Sequence, residues 1–282
     1  MLDSGQSTPA PRSCVWRDLV TAGARGQPGA RQARDRPPAH KSSGWRSVAA
    51  FAAGSLALFF TTSVRAQLAL SASVTSDYRY RGASLGSDQP AVSVDVAYDT
   101  PVANRLDGYF AGDVTVGQFP GAGLQVFEHS ESIGIAGPAW RSTSWDFGVS
   151  NTVLTYDYDQ VSQNYDPEIY AGLRTHFLSY YVRYSPHYFV DGVGALYAEI
   201  DGSLPLAKPW RLFAHIGALT PFAAPTTYYP TREQYDARLG VSTLFKGVGL
   251  SAAWTFQRPG YAAFPRLASH PDALTVTASL FF

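Results

Sequence analysis

Asp77, Arg79 and Arg81 occupy every second position of a short run, with Tyr78 and Tyr80 between them. In an extended chain successive side chains point to opposite faces, so a carboxylate and two guanidiniums share one side and two phenols the other. Opposed charges held close together on a wall can set up a transverse field that sorts small solutes by charge. The same groups can instead pair and close the space they line. The same alternation turns Asp95, Asp113, Arg174, Arg183, Glu199, Asp201, Arg211 and Arg238 toward that side.

Other chemistry is weaker. A serine beside a histidine could supply an acyl-transfer nucleophile and base. The nearest pairs are His176 with Ser179 and Ser185 with His187, and Ser130 stands between His129 and Glu131 on the opposite face from both. Pro186 separates the Ser185 pair and argues for a strand end there. Asp157, Asp159 and Asp166, with Tyr156, Tyr158 and Tyr165, could bind a hard divalent cation, a sugar or a partner, as could Tyr228 with Tyr229. The six histidines are scattered and no phosphate-cradling glycine loop is present. The reading is therefore no catalytic residue, no metal site and no cofactor, with lipid hydrolysis as the enzymatic alternative.

Those charges need strands to hold them. Residues 274–282 read LTVTASLFF, with Leu274, Val276, Ala278, Leu280 and Phe282 on one face and Thr275, Thr277 and Ser279 on the other. An apolar face for lipid and a polar face for a wet lumen is the pattern of a transmembrane barrel strand. Twelve such segments follow one another, near 68–81, 90–99, 107–117, 127–136, 144–156, 167–178, 179–186, 193–203, 209–219, 235–246, 247–257 and 272–282. Each is close to the roughly 9 to 11 residues that a tilted strand needs to cross a bilayer. The fourth and fifth are the least regular, with Asn151 on the lipid side. Outer loops are expected at 82–89, 118–126, 157–166, 187–192, 221–234 and 258–271, and shorter turns at the other end. Tyr78, Tyr80, Tyr98, Trp145, Tyr184, Trp210, Phe245, Trp254 and Phe282 fall near segment ends, as interfacial girdles do. The expected fold is all-β, a transmembrane antiparallel barrel of about twelve strands. A soluble sandwich is the competing architecture.

The front of the chain fits that destination. Val48 to Phe60 is an almost unbroken apolar run after Arg46, too short to span as a helix and the right length for a secretory signal core. Val64 and Ala66 place small residues where a signal peptidase reads, so cleavage is expected after Ala66. Residues 1–45 read as a disordered leader or as sequence upstream of the true start, 46–66 as the signal, and 67–282 as the barrel. Residues 1–66 carry 9 Lys+Arg against 3 Asp+Glu and the remainder 13 against 19, so the exported part is acidic and gives no basic face for nucleic acid. Cys14, the only cysteine, lies in the leader, which leaves the exported part without a disulfide or thiol chemistry.

The segment VTSDYRYRGASLGSDQPAVSVDVAYDT, followed by GYFAGDVTVG, resembles the opening of the TorF-type porin family of proteobacterial outer membranes. The likeness rests on Ser76, Asp77, Tyr78, Arg79, Tyr80, Arg81 and Gly82, a short loop, and Pro90 before a strand. Asp113 and Val114 stand where that family has a Trp or small polar residues. The resemblance implies a barrel of this size in the outer membrane and a transport role, and it supplies no substrate. Leu280 and Phe282 also resemble the terminal signal read by the barrel-assembly machinery. The expected function is a narrow, charge-lined porin passing small polar solutes by diffusion, with outer-membrane lipids as its surroundings. The alternative is a barrel that acts through its outer loops. Oligomeric state is open.

Overall fold

The computed structural model describes residues 67–282 apart from 120, 122, 141, 157–161, 190–192, 223–232 and 259–269. The leader, the signal with Ala66, and the loop residues Asp157, Asp159, Tyr158, Tyr228 and Tyr229 lie outside the described residues. Fourteen strands form, and no helix occurs among the described residues: β1 (Gln67–Thr75), β2 (Arg79–Tyr80), β3 (Ala83–Ser84), β4 (Ala91–Ala103), β5 (Leu106–Phe119), β6 (Gly123–Pro138) and β7 (Ser144–Tyr156), then β8 (Ser162–Arg174), β9 (Leu178–Ser185), β10 (Ala195–Pro205), β11 (Trp210–Pro221), β12 (Gln234–Phe245), β13 (Val248–Arg258) and β14 (Asp272–Phe281).

Twelve of these close into one antiparallel barrel, each pairing with its chain neighbour and β14 returning to β1. The seam runs in register from Ser71 opposite Phe281 to Thr75 opposite Thr277, and the Phe282 amide donates to the Leu70 carbonyl at 2.9 Å. A slip of one residue would turn every apolar side chain inward, so the alternation itself fixes the register. On β1, Leu68, Leu70 and Val74 are exposed while Ser71, Ser73 and Thr75 are buried. The same holds around the girth, with exposed Val92, Phe110, Ile133, Val149, Ile169, Val182, Ile200, Ile216, Leu239, Leu250 and Val276 forming an outward apolar band. Along most of the wall polar groups face in and apolar ones out, the inverse of a water-soluble protein.

The turns follow from local chemistry. Lys246 and Gly247, both with positive φ, make the two-residue connection between β12 and β13, the geometry that matches strand twist. Pro167 lies in β8 beyond the last residue paired to β9, so its missing N–H leaves no gap in that ladder. Between β5 and β6 the expected outer loop of 118–126 shrinks to 120–122, because both strands run on past the bilayer length. Asp166, expected in the third outer loop, lies within β8 and is fully buried.

The principal departure concerns 76–90. The first segment was expected to run to residue 81, but β1 ends at Thr75 and the chain folds back into the barrel as the β2–β3 hairpin. Tyr78 and Tyr80, expected at a lipid girdle, pack instead against an apolar cluster inside the barrel that includes Leu85, Phe127, Leu154, Tyr188, Phe189 and Leu219.

Candidate functional site: a charged lumen crossed by a hairpin

The hairpin is built to reach across. Arg79 pairs with Ser84 and Tyr80 with Ala83, and the two residues at its tip, Arg81 and Gly82, have φ of 44° and 79°. A turn with both central residues in the left-handed region asks for glycine at its second place, which Gly82 supplies. A Cβ on Gly82 would also sit 2.8 Å from the Asp236 Cβ and 3.1 Å from the Phe256 carbonyl oxygen, so the tip is seated against β12 and β13.

Each side of the hairpin is tied to a different part of the wall. The Tyr78 hydroxyl donates to Glu128 on β6 at 2.9 Å, and the Tyr80 hydroxyl to Asp166 on β8 at 3.2 Å. Arg81 donates to Glu168, and its guanidinium lies 4.1 Å from the centre of the Tyr197 ring and 5.4 Å from that of Tyr188. Arg79 is bound to Asp77, to Asp88 at 3.1 Å, and to the carbonyls of Gly82 and His270 at 2.9 and 2.8 Å. Ser84 donates to Asp77 at 2.6 Å and accepts from the Asp88 amide at 2.9 Å, which locks the return strand. Burial pushes the Asp77 carboxyl up, opposed by the Ser84 hydroxyl and the Arg79 guanidinium. Asp77, Arg79 and Arg81 thus do enter the lumen, but on the hairpin and already paired, rather than on the first strand of the wall.

Twelve strands about 4.8 Å apart and tilted by about 40° enclose a cylinder roughly 24 Å across between backbones. Side chains on the wall reduce that to roughly 14 Å, about the width of a two-stranded hairpin with its own side chains. The hairpin therefore takes up much of the lumen where it crosses.

The inner wall divides into unlike sectors. On β4 to β7 the inward charges are all carboxylates, and no Lys or Arg faces in among the described residues. Asp95 and Asp113 lie directly opposite each other across the β4–β5 ladder, Asp95 taking a hydrogen bond from Ser71 at 2.8 Å and Asp113 one from Ser130. On β8 to β11 opposite charges alternate: Glu168 receives Arg81 and Arg183, and Arg183 donates to Glu199 at 2.8 Å. Arg174 lies over the Tyr181 ring at the inner end of β8. Arg211 donates only to the Ser203 hydroxyl, at 3.0 and 3.2 Å, and Arg238 only lies over the Phe213 ring at 5.4 Å. Neither has a carboxylate among the described residues. An inward-facing cation without one, and with Arg238 exposed, needs water beside it, so the lumen at these side chains is open to solvent.

A family model described as "Bacterial protein of unknown function (Gcw_chp)" matches residues 61–264. The chain belongs to that family. No curated protein matches its sequence. Among solved structures it is similar to the KdgM porin, at 11% identity over 76% of this chain and 98% of that one with a TM-score of 0.43. It is also similar to the NanC porin, at 8% identity over 76% and 99% with a TM-score of 0.46.

Further features of this Gcw_chp barrel were not visible as sequence motifs. Tyr109, Tyr170 and Tyr181 meet at Asp146: the Tyr109 and Tyr181 hydroxyls donate to it at 2.5 and 2.7 Å, and Tyr109 and Tyr170 share a 2.5 Å contact. Each side chain crosses a glycine of an adjacent strand, since a Cβ on Gly134, Gly148 or Gly172 would stand 2.4 Å from an atom of Tyr109, Tyr170 or Tyr181 respectively. Tyr197 covers Gly217 in the same way. Tyr109, Tyr170 and Tyr181 each have the glycine as their register partner on the next strand, a relationship set by the pairing of the strands.

Glu199, Asp201 and His215 present ligand atoms within 4.8 Å of one another, a set that could hold a metal ion. His215, however, points Nδ1 at Asp201 and Nε2 at Asp236, both at 2.9 Å. Carboxylates accept and do not donate, so this geometry suits an imidazolium clamped by two carboxylates and leaves no ring lone pair for a metal. Of the serine and histidine pairs, Ser185 accepts from the His187 backbone amide at 3.2 Å while the His187 ring faces the Tyr165 carbonyl. The His187 Nδ1 thus meets a backbone carbonyl rather than the Ser185 hydroxyl.

Proposed function

We propose that this chain is a bacterial outer-membrane channel that passes small polar solutes by passive diffusion and is restricted at rest by its own β2–β3 hairpin. The observation that carries the proposal is the pair Arg211 and Arg238, inward cations with no carboxylate beside them among the described residues, inside a wall whose outer face is apolar. A barrel serving only as a scaffold has no need of uncompensated charge in its interior, whereas a water-filled passage solvates it at little cost. The exposed apolar band supports outer-membrane lipid as its surroundings. Leu280 and Phe282, both outward and exposed on or beside the closing strand, are available to the assembly machinery. The resemblance to TorF-type porins points the same way.

A second reading draws on the hairpin across the lumen: a closed barrel that works through its outer loops. Single-channel recording in a planar bilayer across a salt gradient separates the two. Discrete conductance steps are expected, with the sign of the reversal potential reporting the lumen charges. A folded barrel that stays silent, both as the native chain and with the hairpin loosened, overturns the channel reading.

A further inference from the structure

One part of the outer face does not suit lipid. Glu131 on β6 and Asn151 on β7 are register partners, both at outward positions, and the Asn151 amide donates to Glu131 at 2.9 Å. Ile133 and Val149, one step inward along the same two strands, are exposed apolar residues, as the rest of the band is. Asn151 lies six residues along β7 from Trp145 near the inner turn, which at about 3.3 Å per residue and a tilt near 40° places it roughly 15 Å higher, within an apolar band about 25 Å tall. The pair therefore sits at membrane depth, where polar groups need partners.

We propose that this patch is a contact between two copies of this chain. A closed dimer of barrels inserted in the same direction and meeting through the same patch has a two-fold axis along the membrane normal, which brings equal heights together and exchanges left for right. Glu131 of each copy then faces Asn151 of the other. Within one copy the pair uses one carboxylate oxygen and one amide N–H. The second oxygen and the second N–H remain for the partner, so four hydrogen bonds close into a ring across the axis. Gly112 and Pro167, the register neighbours on either side, have little or no side chain to hold the walls apart. The patch is thus complementary to itself under that symmetry, and interhelical polar contacts in membranes show that such bonds can drive association.

The proposal rests on the outer-membrane reading, and cell fractionation tests that part separately: recovery of the chain in the soluble fraction would overturn both. The full chain would be expressed in a Gram-negative host, purified from outer membranes in mild detergent and sedimented beside Glu131→Leu/Asn151→Leu. Leucine suits lipid, so the variant barrel should fold, as heat-dependent gel mobility would verify. A dimer is expected for the native chain, with at least a tenfold weaker association for the variant. A native monomer, a dimer unaffected by the substitutions, a trimer, or a different protein or lipid held at the patch would each overturn the proposal. Cross-linking supplies the geometric check: mixed Glu131→Cys and Asn151→Cys chains should join with a short bis-maleimide more readily than either variant with itself. Equal or lower yield in the mixture would exclude the two-fold arrangement.

Discussion

The guanidinium of Arg81 lies 4.1 Å from the centre of the Tyr197 ring, joining the tip of a hairpin that follows the first barrel strand to the inner face of β10. This contact, with the ion pair to Glu168, holds a segment across the lumen that would otherwise extend from the outer mouth. Cation–ring contacts of this kind contribute about 0.5 to 2 kcal/mol, the larger figure when water is excluded.

Arg81→Ala should loosen the hairpin. Breaking a buried pair by removing one partner costs about 3 to 5 kcal/mol, because Asp166 loses the cation it faces and Glu168 keeps only Arg183 at 3.6 Å. A several-fold rise in single-channel conductance is expected, and a conductance equal to that of the native chain would exclude the hairpin as the constriction.

Gly82→Val should act on the same element by a different route. The left-handed backbone strains a β-branched residue by about 1 to 3 kcal/mol, and the new side chain meets Asp236 and the Phe256 carbonyl. Hydrogen exchange should speed up at the amides of 76–90 while the seam amides of β1 and β14 keep their protection.

The wall charges should set ion preference. Arg211→Gln with Arg238→Gln removes the two inward cations that have no carboxylate partner among the described residues, and the reversal potential in a salt gradient should move toward cation selectivity. Asp95→Asn with Asp113→Asn should move it the other way. An unchanged reversal potential in both variants would show that neither pair lines the conducting path.

Gly148→Leu should destabilise the barrel itself. Its Cβ would stand 2.4 Å from the Tyr170 hydroxyl and 2.6 Å from the Ile133 carbonyl oxygen, and overpacking of this kind costs about 1 to 3 kcal/mol. The temperature at which the folded gel mobility is lost should fall measurably.

All twelve wall strands were legible in the sequence, since a sheet wet on one side and greasy on the other must alternate, as Leu68 to Thr75 and Leu274 to Phe282 do. Inward placement of Asp95, Asp113, Arg174, Arg183, Glu199, Asp201, Arg211 and Arg238 followed from the same parity. The hairpin escaped because Asp77 to Arg81 also alternates, and a period of two cannot tell a wall strand from a strand inside the wall. What distinguishes it is Arg81-Gly82, a two-residue turn followed within eight residues by Pro90. The Tyr-on-Gly contacts escaped for a different reason: register across strands, and hence which glycine lies beneath which ring, is a property of the closed sheet. Asn151 drew attention only as an irregularity and Glu131 only as a neighbour of Ser130, since a lone polar residue at an apolar position does not say what it meets.

The hairpin is anchored at both ends, to Thr75 on β1 and Ala91 on β4, which are themselves paired neighbours. It cannot be expelled as a separate domain could. Once released, its tip remains tethered at an effective concentration of about millimolar or above, and loops of this length re-close on the submicrosecond scale before any slower repacking. Openings should therefore be brief and return spontaneously, a flickering current whose closed times scale with the strength of the dock and whose open times are set by the length of the leash.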